Sequence, residues 1–138
     1  MSLHIYNTLT RRVEKFKPLK DKTIGMYVCG PTVYGPSHLG HARTYVAFDV
    51  IRRYLEYKGY RVKHICNITD IHDDIIKEAN KQSISIYDLA NKFIPLYLKD
   101  MKILNVKLAS VYPKVTDHIK EIIETVKKLE EKGYAYKA

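Results

Sequence analysis

The sequence has no tryptophan and only two cysteines, Cys29 and Cys66. Two thiols cannot build the disulfide framework of a small secreted domain. In a reducing compartment each is a buried small side chain, a metal ligand or a nucleophile. Negative charge is also scarce: 15 Asp and Glu face 24 Lys and Arg, a formal net charge of +9. That imbalance favours polyanionic partners such as RNA or nucleotides. The excess is largely dispersed lysine without a basic block, so solvated lysine-rich faces account for it too. Long apolar runs are missing, and none approaches the roughly 18 residues of a membrane span. The start, Leu3-His4-Ile5-Tyr6-Asn7, gives way at once to Thr10-Arg11-Arg12 and does not read as a signal peptide. The expectation is a soluble, cytoplasmic protein with no membrane partner. Repeats and low-complexity linkers are absent as well. What remains is 138 residues with 46% apolar content, enough for one ordinary domain core.

The informative stretch is Met26-Tyr-Val-Cys-Gly-Pro-Thr-Val-Tyr-Gly-Pro-Ser-His-Leu-Gly-His41. Thr23 to Cys29 is β-rich and apolar, and reads as a central strand. Gly30 to Ser37 reads as loop. His41 to Lys58 has Val46, Val50, Ile51, Tyr54 and Leu55 at helical spacing, with Gly59 placed as a C-terminal cap. Residues 1–12 suggest a short strand and turn, and Val13 to Leu19 an edge strand. Arg61 to Ile68 is β-like and Asp73 to Lys81 helical. Ser85, with Asp88 three residues on, caps a helix to about Leu104, in which Pro95 predicts a kink or a broken start. Thr116 reads as the cap of an amphipathic helix carrying Ile119, Ile122, Ile123, Val126 and Leu129, stopped by Gly133. Tyr134-Ala135-Tyr136 reads as the start of a strand. Strand and helix alternate, which predicts an α/β fold: a parallel, Rossmann-like sheet flanked by helices and incomplete as it stands.

A strand, a tight turn and a helix start suit the phosphates of a nucleotide. His38 and His41 lie three apart on one side of the first helical turn. Two imidazole N–H groups plus helix amides can follow charge developing on phosphorus oxygens. Gly40, lacking a side chain, lets a flat ring or a neighbouring strand approach. A His-x-x-His metal pair, or capping histidines without a ligand, fit the same spacing. Cys29 ends a central strand, where α/β ligand sites form, and a thiolate is a good zinc ligand. A small buried residue at a strand end is the other reading, and Cys66 is taken as structural. Asp70, Asp73 and Asp74 can bind Mg²⁺ or open the next helix. His72 is a solvated loop residue or a contact to metal or phosphate.

Val28-Cys29-Gly30-Pro31-Thr32-Val33-Tyr34, His38-Leu39-Gly40-His41-Ala42-Arg43-Thr44 and Asn67-Ile68-Thr69-Asp70-Ile71 together resemble the cysteinyl-tRNA synthetases. The resemblance extends to Ile5 through Thr10, Phe48-Asp49, and the ending Glu131 through Tyr136. His38 to His41 matches the first signature of class I synthetases. The Cys-Gly-Pro-Thr-Val-Tyr run matches the cysteine type within that class. The resemblance implies the N-terminal half of a catalytic domain over residues 1–110, with 111–138 starting an inserted connective region. It implies activation of cysteine by ATP with Mg²⁺, then transfer to tRNA(Cys), with ATP, L-cysteine and tRNA as partners and no DNA. It makes His38 and His41 catalytic, His38, Gly40 and His41 the ATP-binding residues, and Gly30, Thr32 and Thr69 the cysteine pocket. Cys29 becomes one ligand of a zinc ion that binds the substrate thiolate. Such a contact suits selectivity, because an apolar pocket separates serine from cysteine by only about 1–3 kcal/mol, whereas soft sulfur prefers zinc.

The chain departs from the family in several places. Lys-Met-Ser-Lys-Ser, the second signature, is absent, as are the later Cys, His and Glu that complete the family's zinc site. Gly35 stands where Asp is frequent, and His72-Asp73-Asp74 where Asp-Asp-Lys is usual. Three other readings stay open on the sequence. One is a related ligase that passes cysteinyl-adenylate to an amino sugar. The others are a nucleotide- or RNA-binding half-domain without turnover, and a purely structural fragment.

Overall fold

The computed structural model describes residues 2–138. A hairpin comes first: β1 (His4–Asn7) pairs antiparallel with β2 (Arg12–Lys15), with His4 opposite Lys15. The strand expected over Val13 to Leu19 is therefore shorter and shifted toward the turn. Asn7 and Thr10 both hydrogen-bond the Glu14 carboxylate across that turn, and Thr10 before Asn7 holds its pKa below the usual range. Then β3 (Thr23–Val28) lies parallel to β4 (Arg61–Cys66), in register from Thr23–Arg61 to Val28–Cys66. A parallel pair needs a crossover, and α1 (Leu39–Tyr57) supplies it. Lys58 caps α1 and Gly59 follows at φ +86°, a conformation that only glycine adopts without strain.

Beyond β4 a third extended segment runs along the sheet. Isolated parallel bridges join Ile65 to Val111 and Ile68 to Lys114. The Cys66 N–H donates to the Val111 carbonyl at 3.1 Å, and the Ile68 N–H to that of Pro113 at 2.8 Å. Between β4 and this segment come α2 (Asp73–Gln82) and α3 (Ile86–Ile103). Ser85 caps α3 as expected: its Oγ accepts from the Asp88 N–H and donates to the Asp88 carboxylate. Pro95 does not break α3, which runs unbroken through it. Pro95 faces water, so the Asn91 carbonyl it leaves unpaired is solvated.

One sheet face carries the core. Strand residues alternate between faces, and Val28, Val62, Cys66 and Ile68 are buried on the helical side. Val28, Cys66 and Ile68 pack with Ile75 and Ala79 of α2 and Leu89, Phe93, Tyr97 and Met101 of α3, while Val62 packs with Ile24 and with Leu55 of α1. The other face, with Gly25, Tyr27 and Lys63, is exposed.

Two expectations near the C-terminus are corrected. Thr116 does not cap the last helix. It begins a short 3₁₀ turn (Thr116–His118), and α4 (Ile119–Glu131) follows without any side-chain cap. Thr116 is taken instead by Asp70, whose carboxylate accepts the Thr116 N–H at 3.0 Å and its hydroxyl at 2.5 Å. Asp70 is accordingly buried and lies outside α2. The second correction is Tyr134 to Tyr136, which form no strand. The Tyr134 N–H is used instead to close α4, onto the Leu129 carbonyl.

Candidate functional site

The histidines of the turn cap the helix that they open. His38 is the N-cap of α1, and its Nδ1 accepts the Gly40 N–H at 3.1 Å. His41, three residues on, returns the bond: its Nδ1 accepts the His38 N–H at 3.2 Å. This is a capping box built of imidazoles in place of a hydroxyl and a carboxylate. A backbone N–H can only donate, so both Nδ1 atoms carry lone pairs. A neutral ring in this arrangement holds its proton on Nε2. The rings stack with centroids 3.9 Å apart. Burial, then the neighbouring His38, holds the His41 pKa below the usual imidazole value. Gly40 has its own reason to lack a side chain: a Cβ there would stand 2.8 Å from Cε1 of His38. The flat ring that approaches Gly40 is thus that of His38.

Tyr45 ties this turn to the sheet. It lies one helical turn after His41, with rings 6.5 Å apart, and its hydroxyl donates to the Cys29 carbonyl at 3.4 Å. Tyr45 also meets Tyr97, and Tyr97 meets Tyr112, edge to face. Burial pushes the pKa of all three phenols up. Cys66 lies among them at 3.9 Å from the Tyr97 hydroxyl, and burial raises its thiol as well. Its assignment as structural fits this setting.

The C-terminal ends of β3 and β4 form the other half of the site. Gly30 fits so closely over β4 that a Cβ would fall 1.5 Å from the Asn67 carbonyl oxygen. Thr32 and Thr69 form a parallel bridge, and the Val33 N–H donates to the Thr69 carbonyl at 3.2 Å. Asn67 joins these pieces. Its Oδ1 accepts the Gly30 N–H at 2.8 Å and the Tyr27 hydroxyl at 2.9 Å, and its Nδ2 donates to the Thr69 Oγ1 at 3.1 Å. The sequence shows Asn67 within the Asn67–Ile71 motif but assigns it no role, and its one local signal is an amide side chain between the apolar Cys66 and Ile68. The structure brings Gly30, Thr32 and Thr69 together at this edge. It places His38, Gly40 and His41 on the adjoining helix start, linked through Tyr45 and Cys29.

Cys29 is exposed at the same edge, and among the described residues only its own neighbour's carbonyl is within reach of the thiol. Among the described residues no three His, Cys, Asp or Glu side chains cluster as a metal site. One thiolate fits a single bond to zinc, which requires three or four protein ligands. These residues therefore do not complete a zinc centre. The acidic trio is likewise dispersed. Asp70 holds Thr116, while Asp73 and Asp74 open α2 behind His72, whose Nδ1 accepts the Asp74 N–H at 3.2 Å. His72 is thus a helix cap. Among the described residues no helix is long and apolar enough to cross a membrane.

Known proteins resemble this chain in sequence and in fold. Residues 15–138 match the family described as tRNA synthetases class I (C) catalytic domain. The chain is 60% identical over 136 residues to a cysteine–tRNA ligase of Thermococcus kodakarensis, covering 99% of this chain and 29% of that protein. It is 60% identical over 134 residues to the Pyrococcus furiosus enzyme of the same name, covering 97% and 28%. The chain spans less than a third of the length of these relatives. Among solved structures, the LeuRS–tRNA–LeuAMS ternary complex of Agrobacterium radiobacter K84 contains a similar fold. Its TM-score is 0.64 at 21% identity, covering 78% of this chain and 14% of that one. Matched by the family model from residue 15 to its last residue and 60% identical to a cysteine–tRNA ligase over 99% of its length, the chain belongs to the tRNA synthetase class I (C) catalytic domain family.

Proposed function

We propose that this chain supplies the nucleotide-facing half of a cysteine–tRNA ligase, which joins cysteine to AMP from ATP and then to tRNA(Cys). The observation that carries the reading is the imidazole capping box beside the Cys29–Gly30 strand end. Both Nδ1 atoms are used by the backbone, which leaves the Nε2–H groups as donors to phosphate oxygens. Hydrogen-bond donors that follow charge as it develops at phosphorus are what an adenylylation step needs from its protein. The positive end of the α1 dipole adds to them. Gly30, Thr32 and Thr69 line the cysteine side, and Mg²⁺ accompanies ATP. Cys29 would offer a zinc ion one thiolate, and such an ion, if further donors completed its site, would supply a soft Lewis acid for the substrate sulfur. Residues 1–110 form the nucleotide half in this reading. The hydrogen bonds from 110–115 to β4 argue for setting its boundary after Val115.

The test is a chimera in which this chain replaces the aligned 136-residue segment of the Thermococcus kodakarensis ligase. Cysteine-dependent ATP–pyrophosphate exchange is expected, with none on serine. Acylation of tRNA(Cys), but not of an amino sugar, separates the tRNA ligase from its amino-sugar relative. A folded chimera that exchanges no pyrophosphate sinks the reading. A half-domain that binds without turnover is the second reading, favoured by the single metal donor. It predicts binding of a cysteinyl-adenylate analogue by the 138-residue chain with no exchange in the chimera.

A further inference from the structure

We propose that Asn67 is a positioning residue for the amino-acid side of the site, fixing the Thr69 hydroxyl as a donor toward an anionic acceptor of the substrate. The proposal rests on the reading of the site as a cysteine-activating centre.

Three bonds define the Asn67 amide, and their chemistry leaves one orientation. The Gly30 N–H can only donate, so the atom facing it at 2.8 Å must be the amide oxygen. The same oxygen receives the Tyr27 hydroxyl. The opposite atom is then the NH₂, 3.1 Å from Thr69 Oγ1. Thr69 Oγ1 therefore accepts from Asn67, and its own hydrogen turns elsewhere. No other side-chain hydrogen bond involves that hydroxyl among the described residues. Thr69 is half-buried and its backbone is held on both sides, N–H to the Pro31 carbonyl and carbonyl to the Val33 N–H. Backbone and side chain are both fixed, so the hydroxyl hydrogen is a donor in a set place at the C-terminal edge of the sheet. That is the edge where ligands of open α/β sheets bind. A donor there selects an acceptor, and an amino acid presents one in its carboxylate.

The oxygen half of the amide does separate work. It holds the Gly30 N–H in a place where any side chain on residue 30 would strike the Asn67 carbonyl. One side chain thus braces the Cys29–Gly30 end of β3 and directs the hydroxyl two residues further on. Asn67→Asp divides these two functions. The carboxylate is isosteric and still accepts from Gly30 and Tyr27. It cannot donate to Thr69, and instead draws the Thr69 hydroxyl hydrogen to itself.

The chimera described above provides the assay. For Asn67→Asp, KM for cysteine in pyrophosphate exchange rises about tenfold or more, the scale of one lost bond to a charged group. KM for ATP stays within about twofold, and the melting temperature stays near that of the parent. Thr69→Val gives a similar rise, and the double variant is no worse than either single, because the two act as one unit. Asn67→Gln, with the amide retained but displaced, does not rescue. Equal changes in both KM values, a fall in melting temperature that accounts for the loss, or additive effects of the two substitutions overturn the proposal. So does an Asn67→Asp variant with unchanged KM for cysteine. A parental chimera that folds but lacks exchange fails one step earlier, at the reading of the site, and is distinguished by that.

Discussion

At the residue scale, the site depends on what two glycines omit. Gly30 is held against β4 by the Asn67 amide, and a methyl group there would overlap the Asn67 carbonyl. The neighbour is backbone at a strand edge and cannot move aside. Gly30→Ala is expected to destabilise the chain by about 1–3 kcal/mol or more, read from the midpoint of urea unfolding. Gly35, in the same turn, has open space around its Cβ position and a backbone any residue can adopt. Gly35→Ala should stay within about 0.5 kcal/mol of the parent. Equal losses at the two positions would refute the packing account of Gly30. Residue types at this scale were legible from the sequence, because a glycine after a strand and a histidine pair before a helix are local signals. Their partners were not. The sequence offers Gly40 as a gap for a neighbouring ring, and only the fold shows that the ring is that of His38.

At the scale of elements, local patterns announced the strands, α1 and α3, whereas bonds between distant segments decided the rest. Thr116 has the chemistry of a cap, but Asp70, 46 residues earlier, competes for both its donors and wins. The latch between α1 and the segment after α3 is equally non-local. Arg52 donates to the Leu108 carbonyl at 2.7 Å, Arg53 to that of Asn105 at 2.7 Å, and Asp49 accepts the Lys107 N–H at 3.0 Å. Carbonyl acceptors leave no mark in a sequence. Beneath this latch His64 of β4 is 6% exposed, and neither ring nitrogen has a partner among the described residues. Burial first, then Arg52, lowers its pKa, while Asp49 acts in the opposite sense. His41 is lowered too, by burial and by His38. The unfolded chain therefore binds more protons than the native one just below the ordinary imidazole pKa. Stability is full above about pH 6.5 and falls as pH drops toward the depressed native values. Thermal melts from pH 8 to 5 should show the decline, and His64→Leu should flatten part of it while raising stability at pH 5. A variant with an unchanged pH slope would place the titration elsewhere. The other element-scale prediction concerns α3. Pro95→Ala restores a bond to the Asn91 carbonyl on the exposed side and should stabilise by about 1–3 kcal/mol, measured by urea unfolding. A loss of stability would show that the ring is packed rather than merely tolerated.

At the scale of the whole molecule, the helices cover one face of the sheet, and the last helix stands apart from that core. No residue of α4 is buried, and Ile119, Ile122, Ile123, Val126 and Leu129 are each 40–49% exposed. Its amphipathic pattern is as clear in the sequence as that of α3, yet only α3 found a partner among the described residues. Periodicity reports which face of a helix is apolar and says nothing of what covers it. The segment just before α4 is the opposite case. Residues 110–115 have no strand-like alternation to notice, yet they hydrogen-bond along the full end of β4 and carry Thr116 to Asp70. A chain ended after His118 should therefore keep its cooperative melt, with Tm within about 2–4 °C of the parent. A chain ended after Ala109 leaves the Cys66 and Ile68 N–H groups and the Asp70 carboxylate without partners in the middle of the core. Each orphaned group costs about 1–3 kcal/mol, against a total of about 5–15 kcal/mol for a typical domain. Circular dichroism melts of the two truncations distinguish the cases: retention of a sharp transition in the shorter chain would mean that β3 and β4 with three helices suffice, and that the third extended segment adds nothing the fold requires.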